Sequence, residues 1–63
     1  MTILNVPDMS CSHCVDRIST ALREEKLDFV VNLENKTVGI NGNDIDVSKA
    51  ISVLDDIGYD AHK

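Results

Sequence analysis

Cys11 and Cys14 stand two residues apart in Met9-Ser10-Cys11-Ser12-His13-Cys14, and the chain has no other cysteine. Sulfur at this spacing can form a disulfide staple, exchange disulfides or ligate a soft metal ion. A structural disulfide framework usually carries more cysteines, wider spacing and a secretory signal. Met1 to Pro7 shows no basic region followed by a long apolar run, so it does not read as such a signal. Two cysteines in this arrangement also make a poor pair of ordinary core hydrophobes.

Thiol–disulfide exchange needs a low-pKa attacking thiol, which a Cys-x-x-Cys entering a helix can supply. A chain of 63 residues, with the element order described below, leaves no room for a thioredoxin-like fold. Metal binding is the favoured reading, and a small dithiol redox protein is the alternative. Two thiolates without further evident ligands suit a soft ion of low coordination number, Cu(I) first. Structural zinc normally takes four protein ligands. Only His13 and His62 could be added to the pair, and their spacing follows no zinc-finger pattern. An iron–sulfur cluster would also need four ligands.

The site depends on where the elements put these residues. Thr2 to Pro7 reads as a short strand in which Leu4 and Val6 alternate with Asn5. A polar loop, Asp8 to Ser12, follows. A helix is expected from about Ser12 or His13, with Val15, Ile18, Ala21 and Leu22 on one stripe. Asp16 is expected in its first turn, and Arg23 and Lys26 near its far end. Cys11 then lies in the loop and Cys14 in the first helical turn. There, unpaired backbone N–H groups favour negative charge and lower a thiol pKa.

Phe29, Val31 and Leu33 alternate with Asp28, Val30 and Asn32 as a half-buried strand. Glu34-Asn35-Lys36 forms a turn, and Thr37 to Asn41 returns as the second arm of an antiparallel hairpin. After the Gly42-Asn43 turn, Asp44 or Asp46 can cap a second helix carrying Val47, Ala50, Ile51 and Leu54. Gly58 stops that helix. Tyr59 to Ala61 is expected as a short last strand.

This order predicts an α+β, ferredoxin-like βαββαβ sandwich. It would have a four-stranded antiparallel sheet with two helices on one face, and residues 1–63 as a single domain. The other sheet face would meet water, which accounts for Asn5, Asn32 and Asn41.

The hydrophobic fraction of 43 % supports a folded core. Eleven Asp and Glu face six Lys and Arg, for a net charge of -5. That balance argues against nucleic acid, which needs a basic footprint. It suits a carrier docking on a basic partner surface. No stretch approaches the roughly 20 apolar residues of a membrane span, so neither membrane insertion nor a location other than the cytoplasm is expected.

At this point Val6-Pro7-Asp8-Met9-Ser10-Cys11-Ser12-His13-Cys14-Val15 resembles the signature of the heavy-metal-associated domain family, Gly-Met-x-Cys-x-x-Cys. The resemblance runs through Asn32-Leu33-Glu34 to the closing Asp56-Ile57-Gly58-Tyr59-Asp60. It is strongest to small bacterial cytosolic copper chaperones. It implies that Cys11 and Cys14 hold Cu(I) and pass it to a copper-exporting P-type ATPase or its N-terminal metal-binding domains. It also implies that the protein is not an enzyme. Related domains handle Zn(II), Cd(II) or Hg(II). A metal-bridged homodimer is a further form open to the pair, and a domain of a larger transporter is the other reading of the chain, although Met1 and the end at His62-Lys63 favour a standalone protein.

By the same resemblance Met9 packs inward and supports the loop, and Tyr59 lies beside the site. The chain departs from the pattern in Asp8, which replaces a glycine and could alter loop shape. It also departs in a short segment between the first helix and the second strand. His13 reads as an exposed neighbour and His62 as a frayed tail residue. Asp44, Asp46, Asp55, Asp56 and Asp60 read as solvated surface rather than a hard-metal site.

Overall fold

The computed structural model describes all 63 residues. The elements are β1 (Thr2–Asn5), α1 (Ser12–Glu24), β2 (Phe29–Asn32), β3 (Thr37–Ile40) and α2 (Asp44–Asp56). They form one antiparallel sheet in the order β1-β3-β2. Leu4 faces Val38 and Thr2 faces Ile40 across β1 and β3, while Phe29 faces Ile40 and Val31 faces Val38 across β2 and β3. Because strand side chains alternate, this register sends Leu4, Phe29, Val31, Val38 and Ile40 to one face and Ile3, Asn5, Val30, Asn32, Thr37 and Gly39 to the other, where Ile3 and Val30 are exposed. Both helices pack on the apolar face, and Asn5 and Asn32 are exposed on the opposite one.

The fold is therefore βαββα with a three-stranded sheet. The expected four-stranded βαββαβ arrangement does not form, because Tyr59 to Ala61 makes no strand. The segment is pulled two ways. The Tyr59 N–H donates to the Leu54 carbonyl (2.9 Å) to close α2, which keeps it from joining a ladder. Farther on, His62 exchanges both backbone hydrogen bonds with Asn5, leaving a single isolated bridge. His62 is thus tied to β1 through its backbone rather than frayed, although its side chain is exposed.

Eleven residues form the core: Leu4, Val6, Met9, Ile18, Leu22, Val38, Ile40, Val47, Ala50, Leu54 and Tyr59. The stripe residues Ile18 and Leu22 of α1, and Val47, Ala50 and Leu54 of α2, all lie within it. Truncating a fully buried leucine such as Leu54 to alanine costs roughly 2–5 kcal/mol, a large fraction of the stability of a small domain. No buried side-chain nitrogen or oxygen lacks a hydrogen-bond partner.

Two helix ends differ from expectation. Asn43, not Asp44 or Asp46, caps α2; its side chain accepts from the Asp46 N–H, and the Asp46 carboxylate accepts from the Asn43 N–H. Asp16 is not in the first turn of α1, because the helix already begins at Ser12. Gly58, at φ +91°, follows the last residues of α2 in the left-handed conformation that glycine tolerates.

Candidate metal site

The site is built on a loop anchored from both sides. At its start the Val6 N–H donates to the Lys36 carbonyl at 2.8 Å, and the Met9 N–H donates to the Val6 carbonyl at 3.0 Å. The Met9 side chain is fully buried, which pins the middle of the loop and matches its expected supporting role. Asp8 lies exposed in the turn and is not among the residues with positive φ. The turn at Asp8 thus runs without the positive φ that would call for a glycine.

From this anchor the chain rises to Cys11, which occupies the N-cap of α1 in an extended conformation (φ -155°, ψ 172°). Its carbonyl accepts from the N–H groups of Cys14 (3.1 Å) and Val15 (3.3 Å). The helical turn so defined places the Cys11 and Cys14 sulfurs 3.6 Å apart. Cys11 is exposed and Cys14 half-buried, and both are free thiols. A disulfide would hold sulfurs at about 2.05 Å. Two metal–sulfur bonds of about 2.3 Å reach across at most about 4.6 Å. The 3.6 Å separation lies within that reach, so one ion can bridge the two sulfurs with a bent S–metal–S angle, and a linear arrangement would need them to move about 1 Å apart.

The surroundings favour thiolate. Cys14 is held at about 6, against an ordinary thiol value of 9.0. The Tyr59 hydroxyl is the largest cause; the Ser10 backbone N–H and then the Cys11 side chain and N–H act the same way, and partial burial opposes them. A nearby donor stabilises the charged form and so lowers the pKa. Conversely, the Cys14 sulfur pushes the Tyr59 phenol above its usual range, and burial adds to this. Tyr59 is a buried core residue just after the turn that closes α2, where a short last strand was expected.

Cys11 and Cys14 are thus brought together, with Cys14 packed against the core that contains Met9 and Tyr59. The histidines are not: His13 is an exposed helix residue, and no group of three or more His, Cys, Asp or Glu side chains converges anywhere. Asp44 and Asp46 start α2, while Asp55 and Asp56 end it, so the acidic residues gather into no oxygen cage. One neighbour was not singled out from the sequence. The Arg17 guanidinium lies over the Tyr59 ring, 5.8 Å from its centroid. The signal was available in the spacing, since residues three apart on a helix share a face.

A fold of this order carrying a cysteine pair at a loop–helix junction defines a class, and the sequence matches it directly. The heavy-metal-associated domain profile matches residues 3–60, and the chain belongs to that family. The copper chaperone CopZ of Staphylococcus aureus (strain NCTC 8325 / PS 47) is 41 % identical over 64 residues, covering 92 % of this chain and 91 % of the relative. Among solved structures, a CopZ metallochaperone superposes with a TM-score of 0.79 at 38 % identity, covering 95 % of this chain and 96 % of the other. The copper chaperone Atx1 from Synechocystis PCC6803 superposes with a TM-score of 0.83 at 22 % identity, covering 98 % and 100 %; that likeness is one of fold.

Proposed function

We propose that this chain, acting as one domain over residues 1–63, is a Cu(I) chaperone rather than an enzyme. Cys11 and Cys14 hold the ion and give it up by ligand exchange to a cysteine pair on a P-type metal-transporting ATPase or its N-terminal domains in the cytoplasm. The observation that carries this reading is a pair of sulfurs 3.6 Å apart with no third metal-binding side chain beside them. Such a set satisfies a soft, low-coordinate ion and leaves a four-coordinate one short of ligands. The exposure of Cys11 lets an incoming thiolate reach the ion without unfolding the domain. The kinship to copper chaperones on both sequence and structure supports the choice of Cu(I) over Zn(II), Cd(II) or Hg(II).

An anaerobic Cu(I) titration against a competing chelator, with Zn(II) and Cd(II) offered alongside, tests it. The expected outcome is saturable binding of about one Cu(I) per chain, or of ions shared across a cysteine-bridged dimer, unaffected by the other two metals. Binding that survives replacement of both cysteines by alanine, or preference for Zn(II), overturns it.

A further inference from the structure

Arg17 stands at i+3 from Cys14, so both side chains leave α1 on one face. Along that face it borders a surface groove with Asp16, Thr20, Ala21, Glu24 and Ile57. Its side chain makes none of the side-chain hydrogen bonds of the fold. Its specific partner is the Tyr59 ring, at a distance where a guanidinium and an aromatic face attract. The turn after α2 fixes the Tyr59 backbone, since its N–H is held by Leu54. That bond does not fix the two side-chain torsions that aim the phenol. The ring therefore sits between the core on one side and Arg17 on the other.

We propose that Arg17 is a positioning residue for the cysteine pair: its guanidinium, lying over the Tyr59 ring, holds the phenol against Cys14 and keeps that flank of the site closed. The open flank is then the Cys11 side, where the chain is exposed from Ser10 to His13. This rests on the reading of Cys11 and Cys14 as the metal-binding pair. Arg17 touches no metal ion; it acts through the ring.

Tyr59 is the only tyrosine and the chain has no tryptophan, so the tyrosine band of the near-ultraviolet circular dichroism reports this ring alone. In metal-free protein, Arg17→Ala is expected to weaken that band while the helical far-ultraviolet signal stays, and Arg17→Lys to restore part of it. Cu(I) affinity of Arg17→Ala is expected to fall about three-fold, the size that a partly exposed cation–π contact carries. The same change made in a Tyr59→Leu background should then have no further effect. An unchanged tyrosine band in Arg17→Ala, or an equal affinity loss with and without the ring, overturns the proposal, the latter because Arg17 would be acting as a bare charge. Absence of Cu(I) binding by the unaltered protein would instead sink the metal reading, and the metal-free tyrosine band still judges the contact.

Discussion

The two helices have the same length, 13 residues each, and begin in opposite ways. At α2 the chain closes its own helix start: Asn43 and Asp46 cap each other reciprocally, and Asp44 and Asp46 place carboxylates in the first turn. At α1 the N-cap is Cys11, its side chain caps nothing, and the first turn holds no acidic residue. The donors that a capping side chain would satisfy have no side-chain acceptor. A helix start closed by its own side chains is a stability device, and one left open is an anion site. Cys14 stands in the first turn of α1, and its thiol is held at about 6, the Tyr59 hydroxyl and then the Ser10 backbone being the largest causes.

The sharpest way to break this contrast is to give α1 the cap it lacks. Cys11→Ser should raise thermal stability by about 0.5–1 kcal/mol, because serine is a good N-cap, while Cu(I) affinity falls by orders of magnitude. The mirror change, Asn43→Ala, should cost about 1 kcal/mol of stability and leave Cu(I) affinity unaltered. Chemical denaturation and chelator competition on both variants measure the two arms. A Cys11→Ser protein that is less stable than the parent would mean that the α1 start is not short of a cap.

A smaller effect concerns the charge at the open start. Replacing Tyr59 with Phe removes the largest influence that lowers Cys14, so the thiol should titrate at a higher pH, between about 6 and 9.0. Alkylation rate against pH, or thiolate absorbance, reads it directly. The sign for stability follows from linkage. Between about 6 and 9.0 the folded metal-free protein holds a thiolate where the unfolded chain still binds the proton. Stability therefore rises with pH across that window and loses this contribution as pH falls to about 6. In Tyr59→Phe the slope should begin at a higher pH.

The smallest effect is at the other ends of the same two helices. Both close with the same pattern. Gly58 N–H donates to Asp55 and Tyr59 N–H to Leu54 after α2; Lys26 N–H donates to Arg23 and Leu27 N–H to Leu22 after α1. The left-handed position is glycine in one case and Lys26, at φ +59°, in the other. Lys26→Gly should stabilise by roughly 0.5–1 kcal/mol, since a side chain with a Cβ is strained there and glycine is not. A denaturation midpoint unchanged or lowered would show that the lysine side chain contributes more than the strain it carries.

Periodicity made most of the fold legible. Ile18 and Leu22, or Val47, Ala50 and Leu54, recur at helical spacing, and alternation in Phe29–Asn32 and Thr37–Ile40 set the faces of the hairpin correctly. It failed at boundaries and ends, where single hydrogen bonds decide. Asn43 took the cap from the aspartates because its position, one residue earlier, let Asp46 answer it three residues on. The last strand failed because Tyr59 serves the helix before it could serve the sheet. The cysteine pair was legible because its chemistry is local: two residues of spacing at a helix start fix the sulfur separation almost alone.

By itself, then, the sequence determined the helix stripes, the sheet faces and the place of Cys11 and Cys14 at the head of the first helix. These follow from backbone periods of 3.6 and 2 and from near-neighbour spacing. Only the tertiary structure decided that Tyr59, 45 residues after Cys14 and expected beside the site only by resemblance, would be buried in the core and lower the Cys14 pKa, that Arg17 would lie over the ring, and that Asn5 and His62 would meet in one bridge rather than a strand. Contacts between residues far apart in the chain depend on how the two helices seat on the sheet, and no local pattern encodes that seating.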